Sequence, residues 1–373
     1  MHQVSSAVAL AAVLSVAFVA SAAAAPLGAL RFVGAATVPN DKQVDGTLVG
    51  GLSGIDFDAA AGLLWAISDD RSENAPARIY QVKLTFSADR LFTADVQKAV
   101  TLLQADGKAY PKAAAGGDVP DPEALRLDPT NPTVLWWSSE GDRNRNLKPF
   151  VRAVDRGGKH IADLPVPAMF TPFSDREAGA RNNLAFEALS FSADGATLWV
   201  GMEGARYEDG PVASVVAGSV TRFTHIARDG RVLGQYAYPV DAIPARPGTG
   251  KNADNGVTEI LALDERRMLV IERAGVQGDD NNYVNYIRLY EADLEGATDV
   301  AEMPSLTGGT YKPMTKRLVL DLAKTPIGYV DNIEGMTFGP ALANGNRTLI
   351  LVSDNNFNAA AQLTQFLAFE VLR

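Results

Sequence analysis

The chain has 373 residues, 47% hydrophobic and 21% charged, which is enough apolar content for a sizeable core. A formal net charge of −10 disfavours a phosphate backbone as partner, so no nucleic acid is expected, while a cation site is compatible with it. The absence of cysteine excludes disulfides, thiolate metal sites, a cysteine nucleophile and a lipidated N-terminal cysteine.

Residues 7–25 are an Ala/Val/Leu/Phe run ending "SAAAAP". This reads as a signal peptide over 1–24, cut after Ala24 and followed by a single domain over 25–373. The segment before the run carries His2 but no Lys or Arg, so the alternative is an N-terminal membrane anchor. A periplasmic or secreted protein is expected, with no transmembrane segment after cleavage, because no later apolar run is long enough to span.

Next comes "LRFVGAATV" (30–38), a strand pattern without a neighbour to pair with. A repeating unit follows. Its first strand is "GLSGIDFD" with Ser53, then "PEALRLD" with Glu123, "FEALSFS" with Glu187, "VTEILALD" with Glu259 and "NIEGMTFG" with Glu334. These residues recur every 64 to 75 positions, each at the head of an apolar strand where a charge is out of place. A short turn rich in Asp, Gly, Asn or Pro leads to a second strand: "LLWAIS", "TVLWWSS", "TLWVGM", "MLVIE" and "TLILVS". Fainter third and fourth strands complete the first four units, for example "ARIYQVKL" and "ADVQKAVTLL". The fifth unit offers only "TQFLAFEVL" after its second strand, and the strand at 30–38 supplies what it lacks.

The pattern predicts an all-β fold, a β-propeller of five four-stranded blades closed by the N-terminal strand, which leaves only short edges. A sixth blade would require a loop to hide its strands. In such a ring the first strands line the central channel, and their heads share one face with the tails of the second strands. Ser53, Glu123, Glu187, Glu259 and Glu334 are therefore expected to ring the channel mouth. Asp69, Asp70, Glu140, Glu203, Glu272 and Asp354 would form a wider ring outside it.

Converging carboxylates repel one another unless some are protonated or a cation sits among them. Oxygen ligands without His or Cys select a hard cation, and a wide flexible ring suits Ca2+ better than Mg2+. The inner five are the expected ligands; the alternative is that they cap hydrogen bonds between blades or pair with Arg. Arginine follows the second-strand acid in four units, giving Arg71, Arg143, Arg206 and Arg273, which with Asn355 are expected to bind substrate. Asp70 or Glu203 is the expected general base. His160 and His225 fall on outer strands, so a His-based triad is not expected. Trp136 and Trp137 read as core.

Taken in order, "GLSGIDFDAAAGLLWAISDDRSENAPARIYQVKL", "DPEALRLDP…LWWSSEG", "NNLAFEALSFSADGATLWVGMEG", "VTEILALDERRMLVIERAG" and "DNIEGMTFGPALANGNRTLILVSDNNFN…TQFLAF" resemble the phytase-like family, named for an esterase-like activity of phytase, over residues 50–373. The resemblance implies a propeller with recurring Glu and Asp and an esterase or phosphodiesterase activity. The layout is also similar to calcium-activated nucleotidases, five-bladed with a central calcium held by Glu and Ser. The expected function is an exported, monomeric, calcium-dependent phosphoesterase or phosphodiesterase-like hydrolase acting on a small phosphorylated or ester substrate. A non-catalytic binding propeller of the cell envelope and a lactonase-like hydrolase are the alternatives.

Overall fold

The computed structural model describes residues 27–87 and 90–372, so the expected signal peptide lies outside the described residues. Five four-stranded antiparallel sheets form the blades of a propeller. Blade one runs Leu52–Asp58, Leu63–Ser68, Arg78–Ser87 and Arg90–Thr101 from axis to rim; blade two runs Pro122–Leu127, Val134–Ser139, Phe150–Asp155 and His160–Leu164. Blade three runs Phe186–Phe191, Thr197–Met202, Ser219–Ala227 and Val232–Val240; blade four runs Gly256–Ala262, Arg267–Gln277, Tyr283–Asp293 and Thr315–Asp321. Blade five takes Asn332–Ala341, Arg347–Asp354 and Thr364–Val371 from the end of the chain and its outer strand, Leu30–Val38, from the start.

Side chains alternate across each strand, and the apolar set of each blade faces its neighbours. The core is accordingly divided among the seams. Trp65, Ile67, Leu125 and Trp137 fill the seam between blades one and two. Val151, Phe186, Leu189 and Val200 fill that between two and three, and Phe223, Tyr238, Ile260 and Val270 that between three and four. Ile271, Leu289, Ile333 and Leu351 join blades four and five; Leu52, Ile55, Ile350 and Phe366 close the circle. Each such side chain contributes about 1.5–3 kcal/mol by leaving water. Trp137 is fully buried and meets Phe150 edge-on at 4.9 Å, the core role expected of it.

The first strand of every blade carries an irregularity near its head. Pairing to the second strand skips from Leu52 to Ile55, Pro122 to Leu125, Phe186 to Ala188, Val257 to Glu259 and Ile333 to Gly335. Such bulges re-aim a side chain out of the ladder. The residue turned out in this way is Ser53, Glu123, Glu187, Thr258 or Glu334. The small residue after it, Gly54, Ala124, Ala188 or Gly335, lets adjacent inner strands approach. A Cβ on Gly335 would stand 2.2 Å from the Ser53 carbonyl oxygen.

Blade four departs from the pattern. Thr258 holds the bulge position and Glu259 holds the small-residue position. Glu259 therefore does not reach the mouth as expected. Its carboxylate accepts from the backbone N–H of Ile260 (2.9 Å) and pairs with Arg126 Nη2 (2.6 Å) inside the channel. Arg126 also donates to the carbonyls of Ile55 (2.6 Å), Ile260 (3.1 Å) and Met336 (3.3 Å), so one guanidinium ties the inner strands of blades one, four and five to its own. Arg126 and Glu259 are buried among the inner strands, 2% and 1% exposed.

Candidate functional site

The second strands end beside the bulges. The backbone N–H groups of Asp69, Glu140 and Glu203 donate to the carbonyls of Gly51, Asp121 and Ala185, which turns each tail over the channel. Asp354 occupies the same place in blade five, opposite Asn332. In blade four Glu272 pairs with Val257 and Arg273 with Gly256, so the place belongs to Arg273. Glu272 points away, bound to Tyr238 (2.7 Å) and Lys316. The expected outer ring therefore holds with Arg273 in place of Glu272, and of the expected pair Asp69 and Asp70 it is Asp69 that occupies the tail position.

Above the mouth lies an open cavity of about 1000 Å³, lined among others by Asp69, Arg71, Asp121, Glu123, Glu187, Arg273, Glu334 and Asp354. Glu140 and Glu203 stand behind the lining residues, only 4% and 3% exposed. The carboxylates fall into three groups whose oxygens lie within 4.8 Å of one another: Asp69, Glu334 and Asp354; Asp121, Glu123 and Glu140; Glu140, Glu187 and Glu203. Ser53 Oγ donates to Glu123 Oε2 at 3.0 Å, and Asn332 Nδ2 donates to Glu334 Oε1 at 2.9 Å. Asp121 was not anticipated. It precedes the first strand by one residue, and its only signal was a carboxylate two positions before Glu123 in "DPEAL".

Among the described residues, the eight carboxylates of these three groups share the mouth with two cationic side chains, and Asp70, Glu73, Asp254 and Asp331 also line the cavity. Arg71 pairs with Asp121 and donates to Asn183 Oδ1 at 2.6 Å. Arg273 approaches Glu203 at 3.0 Å and Glu334 at 3.8 Å. The imbalance shows in the acidities. Burial, and then the charge of Glu187, Asp121 and other acids, pushes the Glu123 carboxyl well above its usual range. Glu140, Glu187, Asp69 and Asp354 are raised for the same two reasons. Burial pushes Glu203 up to about 8 against the pull of Arg273, and Asp121 up to about 6 against that of Arg71. The residues fit a hard cation. All donors are oxygens, and Glu140 Oε2 is buried without a hydrogen-bond partner.

The other expected site residues have structural partners. The Asp70 carboxylate pairs with Arg78 Nη1 (2.7 Å) and accepts from the backbone N–H groups of Glu73 (2.8 Å) and Ala75 (3.0 Å), so it is not available as a base. Arg206 is buried against Asp209 (3.0 Å) and the carbonyls of Met169 and Pro304. Arg143 lies over the Tyr207 ring and donates to the Arg176 carbonyl, outside the cavity lining. Asn355 spends its amide oxygen on the backbone N–H of Gly51 (3.0 Å) and that of Phe357 (3.2 Å). Of the four arginines that follow the second-strand acids, Arg71 and Arg273 reach the mouth and Arg143 and Arg206 do not.

The sequence model of the family described as "Phytase-like: Esterase-like activity of phytase" matches residues 47–357. The chain belongs to the phytase-like family. No curated protein matches this phytase-like chain in sequence. Several solved structures resemble its fold at low identity. A mannose phosphorylase from Leishmania mexicana, in complex with phosphate ion, has 10% identity and a TM-score of 0.40, covering 91% of this chain and 88% of its own. The catalytic domain of a Coprinopsis cinerea GH62 α-L-arabinofuranosidase has 7% identity and a TM-score of 0.41, covering 92% and 97%. A B. subtilis levansucrase has 12% identity and a TM-score of 0.40, covering 92% and 86%.

Proposed function

We propose that this phytase-like propeller is a calcium-dependent hydrolase of phosphate esters, working at the acidic mouth. The observation that carries the reading is the convergence of eight closely grouped carboxylates at a cavity whose lining, among the described residues, has only Arg71 and Arg273 as cations. Glu123, Glu187 and Glu334 from the first strands, with the second-strand acids behind them, would hold the cation; Ser53 and Thr258 complete the inner circle. A bound calcium would polarise a phosphoryl oxygen and offset the repulsion between an anionic substrate and the acids. Arg71 lines the cavity with 37% of its side chain exposed and is the group suited to a second phosphate oxygen. Asp69 lines the same cavity, and burial and the neighbouring charges of Asp354 and Glu334 raise its pKa, which makes its carboxylate a stronger base, so it takes the base role expected of Asp70.

The test offers the purified protein aryl phosphomonoesters, phosphodiesters, nucleotides and phytate, with calcium or with chelator. Turnover is expected with calcium and lost with chelator. Arg71→Ala should lower it by about ten- to a hundredfold while the protein stays folded. If the folded, calcium-loaded protein turns over no phosphate ester, the binding propeller becomes the better reading.

Export and a monomeric state belong to the same proposal. They are motivated by the "SAAAAP" junction and by ring closure within one chain. Mass spectrometry of the mature protein should find an N-terminus near Ala25; an intact Met1 would refute export.

A further inference from the structure

Two of the three carboxylate groups share a member. Glu140 belongs both with Asp121 and Glu123 and with Glu187 and Glu203. Its Oε1 is fixed by the backbone N–H of Ala185 at 2.7 Å, which crosses from blade two to blade three. Its Oε2 has no hydrogen-bond partner although the residue is only 4% exposed. The two guanidiniums sit at opposite ends of the five acids, Arg71 on Asp121 and Arg273 on Glu203. Among the described residues, no cationic side chain pairs with the middle of the row. A buried carboxylate oxygen without a donor, flanked on both sides by further carboxylates, is satisfied by a cation on each side.

We propose that blades two and three hold a pair of divalent cations bridged by the Glu140 carboxylate. Asp121 and Glu123 complete the ligands of one, and Glu187 and Glu203 those of the other. The donor set is all oxygen, which selects a hard cation such as calcium, magnesium or manganese. Paired cations of this kind can clamp the attacking and leaving oxygens of a phosphoryl displacement, so the proposal deepens the hydrolase reading and rests on its cation dependence.

The test loads the full folded chain with manganese, counts the retained ions by native mass spectrometry and records the electron paramagnetic resonance spectrum. The expected wild-type result is a spin-coupled manganese pair. Glu140→Gln should lose the coupling and two ions relative to wild type, whereas Glu123→Gln and Glu203→Gln should each lose one. Circular dichroism in chelator should show all three variants folded, because each removes a repelling charge. Uncoupled manganese in the wild type, or loss of no more than one ion in Glu140→Gln, overturns the bridge. A coupled pair on a protein that hydrolyses no phosphate ester leaves the bridge standing and removes the hydrolase reading. Hydrolysis supported by a single uncoupled ion removes the bridge alone.

Discussion

In chelator, the protein should melt at progressively lower temperature as the pH rises from about 5 to about 8, and calcium should remove that slope. The sign follows from the direction in which the acids are perturbed. Asp121, Glu123, Glu140, Glu187 and Glu203 all hold their protons more tightly in the folded protein than in the unfolded chain. Their stabilising contribution is complete below the ordinary carboxylate range. It is lost as the pH climbs through the folded values, which for Asp121 and Glu203 are about 6 and about 8. A tenfold gain in proton affinity on folding corresponds to about 1.36 kcal/mol, so the row together is worth on the order of several kcal/mol. Calcium takes the place of the protons, and at a hundredfold excess over its dissociation constant a ligand adds about 2.7 kcal/mol. Cation binding should also release protons, measurable in weakly buffered solution. Melting curves at four pH values, each with chelator and with calcium, decide the matter. A flat or rising curve in chelator, or identical curves with calcium, would show that the acids are balanced in some other way.

The second large effect is expected at the axis. Arg126→Met should cost about 3–5 kcal/mol, because it leaves the Glu259 carboxylate buried without its counter-charge. Three carbonyls from different blades lose a donor at the same time. The double substitution Arg126→Met with Glu259→Gln should recover much of the loss, since both charges leave together. Denaturant unfolding of the two variants beside the parent measures both numbers. An Arg126→Met protein within about 1 kcal/mol of the parent would contradict the tie between blades.

The five blades and the closure by residues 30–38 were legible in the sequence because they depend on runs of apolar residues and on turns, which survive small errors of alignment. The mouth was legible in four blades for the same reason. Blade four differs from its sequence reading by one residue. Glu259 in "VTEI" looks like Glu187 in "FEAL", yet the two are not equivalent, and a slip of one residue in a strand sends a side chain to the opposite face. The same slip carried Glu272 into the place of Arg273. Aligning on the residue before the bulge, Leu52, Pro122, Phe186, Val257 and Ile333, would have put Thr258 in the inner circle. The charge was the misleading feature, because Glu259 answers to Arg126 and not to the mouth. Asp121, Asn183 and Asp254 come from the long loops over the mouth, and no strand periodicity points to them.

The closing strand gives the two halves of the mouth different histories. Leu30–Val38 pairs with Thr364–Val371, so the last contact of the ring joins segments from the two ends of the chain and carries the largest loop-closure cost. Asp69 belongs to blade one, and Glu334 and Asp354 to blade five; their meeting waits for that contact. Asp121, Glu123, Glu140, Glu187 and Glu203 come from one stretch of two consecutive blades. A folding chain that has built only those two blades already holds every residue of the proposed paired seat. On that proposal cation capture would not depend on the circle, whereas Asp69, Glu334 and Asp354 come together only across the closing seam.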